Sequence, residues 1–521
     1  MIFGATAFSD APLDTLLDAD IDAVPARFYE TVANEYSERV YIAILKPYDS
    51  ATDTIKTVYV ATRSINTESG DTIGALHIPG ALVSPLNMKL RLFVQRRMMG
   101  EADIDSGVMV VQNDNGDLDD WYGYDWGARE ATLFMGEPDF AFDEFGLVWK
   151  GETEQLIGDL SSWTLRLRSL KESLKENIQN NHYTGAGGDE GTSNLAGQEK
   201  PLCFGYCKNI SPVLVDPSTL RYQIHDGQIQ SIDAVYFGGV LASIGSDYST
   251  DVTNGFVDLV SASTGEVTCD IRGEVDTNNQ VIANPDKLIK HIFKSYGGYT
   301  DDDIELTSFG LYDDTDAYRC GLFLRNGNNS YASVFSTLTT YFGGYWGINN
   351  RNKLFIGQVG VFQQISTDLY QEQLKKLAID ISAPITYKTR VSWQRSYTIQ
   401  SRGTLAGGAT ETRVDFVENE YRWSVDEDLT IHPDYHLSEE RDVLADFEVE
   451  ATATAEAVRQ QGIFGVERKT IKLDIPTVMF DLCICQTIRL FDRFNPTGKN
   501  YMITSIGFDV KNNKTDLEVW G

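Results

Sequence analysis

Two pairs of closely spaced cysteines are the best candidates for metal ligands in this sequence. Cys203 and Cys207 have three residues between them, and Cys483 and Cys485 have one. A zinc ribbon needs two thiolate pairs with two to four residues between partners, so the first pair fits and the second is too tight. On a β-strand, Cys483 and Cys485 would share one face. We therefore favour small buried side chains over a zinc site at these positions.

Two histidines, His432 and His436, are separated by three residues in the segment HPDYH. On a helix they would lie on one face, as the two zinc ligands of the HExxH pattern do. Pro433 favours a loop over a helix interior, and the glutamate of that pattern is absent. We interpret the segment as a solvated loop.

The acidic run 113–120 has the composition of a calcium-binding loop. If Gly116 takes the place of the invariant EF-hand glycine, Val111 and Tyr122 fall at the first and last ligand positions, where oxygen donors are required. An EF-hand therefore fails, and a tight polar turn is the better interpretation. The run 300–303 (TDDD) is interpreted as a solvated turn or the start of a helix.

Sequence motifs for catalysis are absent, among them the G-x-S-x-G elbow, the P-loop and the dinucleotide fingerprint. The 76 acidic residues are too many for the sequence to single out a pair of glycosidase carboxylates. Four clustered aromatic residues could stack on sugar rings, but barrel core or a subunit interface explains them better: Trp121, Tyr122, Tyr124 and Trp126. We assign no catalytic, cofactor-binding or metal-binding residue.

The elements that must position these residues are mainly strands over the first part of the chain. Residues 39–45, 57–62 and 89–94 have strand composition, and residues 163–168 alternate cleanly between apolar and polar. We predict an N-terminal β-rich, barrel-like domain over residues 1–165.

A helix and a flexible loop are predicted next, over residues 166–200. The helix is expected from residue 169 to residue 179. The segment 180–200 is rich in Gly, Asn, Ser and Thr, a composition typical of flexible segments. Short strands return over residues 201–280, which we predict to be a second β-rich domain.

Residues 281–360 are predicted to form an α+β domain. Asn284 and Pro285 form a good helix start, and two glycines at 297 and 298 end that helix. A second helix is predicted over residues 330–341 and a strand over residues 354–357.

Residues 361–521 are predicted to form a C-terminal β-barrel-like domain with an inserted helix over residues 451–461. The length of 521 residues suits three or four domains in all. The predicted fold class is therefore mainly β with α+β insertions.

The net charge of −32 comes from 44 basic and 76 acidic side chains. Such a chain repels nucleic acid, because binding to phosphates depends on clustered Lys and Arg, and the densest basic cluster is only QRR at 95–97. The charge gives solubility, and it would also suit a channel wall past which DNA slides without sticking.

The sequence contains no secretion signal at its start and no run of 18 apolar residues. The six cysteines, which include Cys269 and Cys320, are scattered over a long chain and do not predict a disulfide framework. We expect a protein that is made and kept in a reducing cytoplasm until it is released.

Several segments, in this order and nearly from end to end, resemble the tail hub (baseplate hub or tail tip) proteins of long-tailed bacteriophages and gene transfer agents. They are 5–13 (ATAFSDAPL), 107–119 (GVMVVQNDNGDLD), 127–129 (GAR), 145–151 (FGLVWKG), 200–205 (KPLCFG), 209–216 (NISPVLVD), 222–227 (YQIHDG), 265–273 (GEVTCDIRG) and 517–521 (LEVWG). Little in residues 359–449 adds to the resemblance.

The resemblance implies two tube-forming β-barrel-like domains with smaller peripheral domains outside them. It implies a homotrimer, in which two barrels per chain give six barrels in a ring on a six-fold tail tube. It also implies a structural, non-enzymatic role at the tail tip of a virion, after assembly in the host cytoplasm.

The partners that the resemblance implies are a distal tail or tail tube protein, tip or fibre proteins and the tape-measure protein. DNA would only pass through the channel, and no stable membrane insertion is expected. Some proteins of this kind carry an iron–sulfur cluster. The same cofactor would need about four converging thiolates in this chain. We predict no cofactor.

Two other functions compete with a structural hub. A carbohydrate-active or glycan-binding β-rich tail protein would fit the acidic and aromatic composition. A receptor-binding tail fibre is disfavoured, since the sequence has no internal repeats and no coiled-coil heptads.

Overall fold

The computed structural model describes residues 26–33, 37–92, 99–310, 318–325, 327, 329–360, 365–380 and 385–521. The N-terminal segment 5–13 and the basic cluster 95–97 lie outside these residues. The described chain is mainly β with smaller helical parts, which confirms the predicted fold class.

A seven-stranded antiparallel sheet, the N-terminal sheet, is formed by residues before 169. On its strand Arg129–Gly136, Ala131, Leu133 and Met135 are buried and alternate with more exposed residues. This period of two places one face of the sheet on a core. The strands, in spatial order, are Val58–Ala61, Val40–Leu45, Arg129–Gly136, Gly146–Gly158, Ser162–Arg168, Val108–Gln112 and Leu82–Ser84.

An eight-stranded sheet, the C-terminal sheet, combines strands from both ends of the chain. Strand Asn87–Arg91 pairs with Lys499–Asp509, so Leu90 lies opposite Ile506. The main path is Asp103–Asp105, Asn87–Arg91, Lys499–Asp509, Lys514–Trp520, Thr470–Ile475 and Lys376–Asp380; Thr487–Phe491 also pairs with Lys499–Asp509 and carries Ile365–Tyr370 as its parallel neighbour.

One apolar core, the shared core, lies between the N-terminal and C-terminal sheets. It contains Leu133 and Leu165 from the first sheet and Leu473 and Leu517 from the second. Leu90 belongs to it as well. Burial of each such side chain contributes about 1.5–3 kcal/mol, so the two sheets stabilise one another as a single packed body.

Smaller sheets form the rest of the described chain. A five-stranded sheet contains Val240–Leu241, Ile229–Phe237, Val267–Glu274, Leu202–Ile210 and Gly321–Leu324, and a four-stranded sheet contains Val213–Asp216, Arg221–Gln223, Phe256–Leu259 and Tyr248–Asp251. Three-stranded sheets are Leu354–Gln358, Gly344–Ile348 and Gly100–Glu101; Arg422–Glu427, Thr386–Trp393 and Glu439–Phe447; and Tyr124–Asp125, Tyr48–Asp49 and Thr54–Ile55. Ile65–Asn66 pairs with His77–Ile78.

The α-helices of the described residues are 4 to 15 residues long. They are Ala26–Ala33, Pro285–His291, Tyr331–Tyr341, Glu411–Glu418, Ile431–Asp434 and Glu450–Phe464. Three of them confirm predictions: Pro285 is the first residue of its helix, the hydroxyl of Ser330 caps Tyr331–Tyr341, and Glu450–Phe464 covers the predicted inserted helix. Within the described residues, no helix is both long and apolar enough to cross a membrane.

The segment after the N-terminal sheet differs from its prediction. In place of a helix from residue 169 to residue 179, the chain forms a short 3-10 helix, Leu170–Lys175. The glycine-rich segment 180–200 folds back on itself, where Gly185 N–H donates to the carbonyl of Glu190 at 2.9 Å. The buried Tyr183 hydroxyl donates to Gln223 at 2.5 Å.

The joining strand Asn87–Arg91 gives a stability prediction. Leu90→Ala should lower the free energy of unfolding by about 2–5 kcal/mol, because it leaves a cavity in the shared core. Asn87→Ala on the same strand should change it by less than about 0.5 kcal/mol, because Asn87 is exposed. Urea unfolding followed by tryptophan fluorescence measures both; equal effects of the two substitutions would contradict the packing described here.

Candidate functional surface

The face of the C-terminal sheet that points away from the shared core is charged. On strand Thr470–Ile475, Ile471 and Leu473 enter the core while Lys472 and Asp474 lie on the opposite face. Successive side chains of a strand point to opposite faces of the sheet, so the apolar and charged residues of this strand lie on different faces. Cross-strand pairing then sets the charged residues side by side.

A groove of about 360 Å³ lies over this charged face. It is lined by residues of five neighbouring strands, so no single segment of sequence contains it. Its charged lining residues are four cations and three carboxylates: Lys89, Arg91, Lys376, Lys472, Asp474, Asp516 and Glu518.

The carboxylates of this groove have cationic partners. Lys514 Nζ lies 2.6 Å from Asp516 Oδ1 and 3.4 Å from Asp474 Oδ2. The hydrogen bond to Asp516 raises the pKa of Lys514. Lys472 Nζ lies 3.9 Å from Glu518 Oε2. The negative charge of the groove is therefore largely compensated on the same face.

Three other groove cations each lie opposite a carboxylate on a neighbouring strand, and for Lys376 that carboxylate is Asp474. Within the described residues, Lys89, Arg91 and Lys376 form no ion pair. Asp105 and Asp103 lie opposite Lys89 and Arg91 across the edge of the sheet.

Those two edge carboxylates are engaged elsewhere. Asp103 lies 3.2 Å from Lys171 Nζ, and Asp105 accepts a hydrogen bond from Gly107 N–H at 3.1 Å. Four cations and three carboxylates line the groove, and these two carboxylates lie at its edge, so positive and negative charges are nearly balanced on this face.

The cysteines do not assemble a metal site in the described part of the chain. Cys203, Cys207 and Cys269 lie in one small apolar core, where burial raises the pKa of the Cys207 and Cys269 thiols. Cys483 is exposed and Cys485 is buried in the turn that precedes Thr487–Phe491, so they do not share a strand face as expected. Groups of three or more His, Cys, Asp or Glu placed to hold a metal ion are absent from the described residues.

The two acidic runs form turns. Asn113 is buried; its side chain accepts from Leu118 N–H and donates to Asp119, each at 2.8 Å. Gly116 has a φ of +77°, a conformation that favours glycine. Thr300 N–H donates to Asp303 at 2.9 Å at the start of a 3-10 helix.

The aromatic cluster divides between core and surface. Trp121 and Trp126 are buried, with ring centroids 4.9 Å apart, and Trp126 Nε1 donates to the carbonyl of Trp121 at 3.0 Å. Tyr122 is 85% exposed. A pair of tryptophans already packed in the core is not available to stack on a sugar.

The histidine segment forms a short exposed helix, Ile431–Asp434, in place of the predicted loop. Pro433 is tolerated because it lies in the first helical turn, where its missing N–H is not needed. His432 Nδ1 lies 2.9 Å from the Ser438 hydroxyl, and its ring packs against Tyr387.

A buried histidine network was not foreseen from the sequence. Cys203 N–H donates to His225 Nδ1 at 3.0 Å, so the neutral ring carries its hydrogen on Nε2, 3.8 Å from Glu274. Glu274 also contacts His291 at 2.9 Å and accepts from the Tyr296 hydroxyl at 2.7 Å. Burial lowers the pKa of His225. Burial opposes ionisation of Glu274, but its hydrogen bond with His291 and the nearby histidines hold its pKa below the usual value.

A second unforeseen group is the carboxyl of Asp446, which is 1% exposed. Its Oδ1 accepts from Arg395 N–H at 2.7 Å. Burial raises the pKa of Asp446 to about 7, against the lowering effects of that hydrogen bond and of the Arg395 and Arg422 charges. Sequence alone gave no signal for it, since Asp446 is one of 76 acidic residues.

No protein-family model matches this sequence, and no curated protein matches it. The chain is similar to solved structures that are described as tail proteins. A tail protein from Neisseria meningitidis has 7% identity and a TM-score of 0.40, with 92% of this chain and 96% of that chain covered.

Two further structures are similar. The 43 kDa tail protein of prophage MuSo2 from Shewanella oneidensis has 10% identity and a TM-score of 0.39, with 92% and 98% of the two chains covered. A chain of the native gene transfer agent virion has 12% identity and a TM-score of 0.43, with 62% of this chain and 84% of that chain covered.

Asp446 gives a pH prediction. Its folded pKa of about 7 lies above the value of about 3.9 for an unfolded Asp, so the folded chain holds this proton longer. The contribution of Asp446 to stability is therefore greatest below pH 4 and falls as the pH rises to about 7. Asn at this position does not ionise, so Asp446→Asn does not lose stability in this way. The free energy of unfolding of Asp446→Asn, relative to that of the wild type, should therefore rise by roughly 2–3 kcal/mol between pH 5 and pH 8.

Urea unfolding at the two pH values measures this difference. Glu439→Gln, at an exposed position of the same strand, is the control and should give no such growth. An equal effect of Asp446→Asn at both pH values would contradict a protonated Asp446.

Proposed function

We propose that this chain is a non-enzymatic structural subunit of a phage tail tip, a hub that links the tail tube to the distal tip and forms part of the wall of the DNA channel. The observation that carries the proposal is the pair of β-sheets packed on one shared core. A hub that continues a six-fold tube with three subunits needs two such units in each chain.

The sequence resemblance supports the same role. Its segments fall in both parts of this body: residues 107–119 and 145–151 contribute strands to the N-terminal sheet, and residues 517–521 end the C-terminal sheet. The proposed partners are a second and third copy of the chain, a distal tail or tube protein, tip or fibre proteins and the tape-measure protein.

The charge of the chain supports passage of DNA without retention. A net charge of −32 repels phosphates over the Debye length, about 8 Å at physiological salt. The proposed location is therefore the tail tip of the virion, where the genome passes the protein once.

Edge strands are the surfaces that we propose for contact between copies. Leu82–Ser84 and Lys376–Asp380 each pair with a neighbour on one side only among the described residues. Val83 and Ile379 on these edges are 44% and 39% exposed. Unpaired edges with exposed apolar side chains invite strand addition, and ring closure satisfies them.

Mass photometry and size-exclusion chromatography of the purified chain test the assembly. We expect a trimer at micromolar concentration, and negative-stain images of it should show a hollow ring. A stable monomer at high micromolar concentration would count against the proposal.

Substitutions at the edges sharpen that test. Val83→Lys with Ile379→Lys should reduce the trimer fraction several-fold, because charged lysines block edge pairing. Leu437→Lys, at an 85% exposed position in the turn before strand Glu439–Phe447, is the control and should leave the trimer intact. If only the Leu437→Lys control lost the trimer, the contact between copies would lie elsewhere than at the two edge strands.

A further inference from the structure

We propose that His225 is a pH-sensitive latch. Its neutral ring holds the bend at residues 224–227 against the start of strand Leu202–Ile210, and proton uptake by the ring loosens this bend and the glycine-rich segment 180–200 attached to it. The inference goes beyond the proposed tail role and does not depend on it. It rests on one buried hydrogen bond, on the carboxylate that faces the ring, and on the contacts that the bend makes.

A hydrogen bond from the backbone requires the neutral form of His225. The side chain is 1% exposed, and Cys203 N–H donates to its Nδ1 atom at 3.0 Å. The ring of Phe204 packs edge-on against it, with centroids 6.1 Å apart. A protonated imidazole carries hydrogen on both ring nitrogens and accepts no hydrogen bond. Protonation would therefore set two N–H donors against each other and leave the buried Cys203 N–H without an acceptor, which costs free energy.

The carboxylate that faces the ring, that of Glu274, already has other partners. Its Oε2 atom lies 3.8 Å from His225 Nε2, which is beyond hydrogen-bond distance. The same Oε2 accepts from the Tyr296 hydroxyl at 2.7 Å, and Oε1 lies 2.9 Å from His291 Nε2. Glu274 attracts a charged His225, but this attraction does not replace the hydrogen bond that Cys203 N–H loses.

Charged and titratable groups act on His225 from the elements packed around it. The carboxylates of Asp226 and Glu274 favour a charged ring, whereas His291 opposes one. Lys200 Nζ lies 3.9 Å from Asp226 Oδ1 and reduces the effect of that carboxylate. Burial is the largest effect and lowers the pKa of His225. The surroundings as a whole therefore favour the neutral ring that the hydrogen bond requires.

The direction of the pH dependence follows from this burial. An unfolded histidine has a pKa of about 6.5, and the pKa of the buried His225 ring lies below its ordinary value. The latch is therefore most stable above pH 6.5, and its equilibrium constant for opening rises as the pH falls, by at most about tenfold per pH unit. The pKa of Glu274 is held below its usual value, so this group stays ionised between pH 5.5 and pH 7.5 and adds no pH dependence there.

The bend at residues 224–227 anchors the glycine-rich segment 180–200 near both of its ends. Asp226 N–H donates to the carbonyl of Pro201 at 2.9 Å. The carboxylate of Asp226 accepts from the side-chain amide of Asn181 at 2.7 Å. A bend that moves away from strand Leu202–Ile210 breaks both contacts.

A second contact connects the same bend to the middle of the segment. The carbonyl of His225 accepts from the side-chain amide of Gln223 at 3.3 Å. Gln223 in turn accepts from the buried hydroxyl of Tyr183 at 2.5 Å. Because Tyr183 belongs to the glycine-rich segment, a displacement of the His225 backbone reaches this segment through one side chain.

Hydrogen–deuterium exchange of the full chain at pH 5.5 and pH 7.5, followed by mass spectrometry, tests the latch. After correction for the intrinsic exchange rate, the opening constant of peptides covering residues 201–206 and 224–228 should be several-fold larger at pH 5.5, up to about tenfold. Peptides of the segment 180–200 should follow, whereas peptides of strand Arg129–Gly136 should show no increase. Equal protection of residues 201–206 at the two pH values would overturn the proposal.

His225→Asn is the decisive variant. The Asn side-chain oxygen takes the place of Nδ1 as acceptor for Cys203 N–H, and the amide does not titrate. The opening constants of this variant at the two pH values should therefore agree within about twofold. His182→Asn, at an exposed position of the glycine-rich segment, is the matched control and should keep the full pH response. A response that His291→Asn abolishes and His225→Asn keeps would contradict the proposal.

A measurement on the wild type decides the matter if His225→Asn does not fold. The slow deuterium exchange of the ring Cε1–H, measured peptide by peptide, reports the protonation of each histidine in the folded chain. The midpoint for His225 should lie below the value of about 6.5 for an unfolded histidine. A midpoint above that value would show that the folded chain favours the charged ring, and the proposal would fail.

Discussion

Burial of one apolar core between two sheets is the constraint on which this structure depends. Leu133 and Leu473 lie far apart in the sequence, yet each covers apolar surface that the other's sheet would expose. The strand Asn87–Arg91 strengthens the connection, since it follows the N-terminal strands in sequence and hydrogen-bonds within the C-terminal sheet. The C-terminal sheet is not complete without strands from the N-terminal part of the chain, and the smaller sheets and helices attach to this body.

Local patterns predicted the elements that local physics decides. Pro285 and Ser330 gave two helix starts, and alternation over residues 163–168 gave strand Ser162–Arg168. The same reasoning missed helix Glu411–Glu418, whose buried Arg413 packs over the ring of Tyr236. That helix packs against a sheet that is distant in sequence, and its own residues show no periodicity that predicts this contact.

The candidate surface could not be predicted from the sequence. Each chemically suggestive motif became a turn, a core residue or a short helix, because residues close in sequence mostly satisfy one another. The groove instead takes Lys89, Lys376 and Lys472 from strands that only the folded sheet brings together. The buried Asp446 and the Glu274 network follow the same rule: their shifted pKa values arise from neighbours that are distant in sequence and from exclusion of water.

The placement of strand Asn87–Arg91 also affects how the chain can be made. Its partner, Lys499–Asp509, leaves the ribosome about 400 residues later. At roughly 5–20 residues per second, translation takes about 20–80 seconds to supply it. During that interval Met88 and Leu90 have no C-terminal sheet to join, so this strand reaches its final position only after synthesis of the chain is nearly complete.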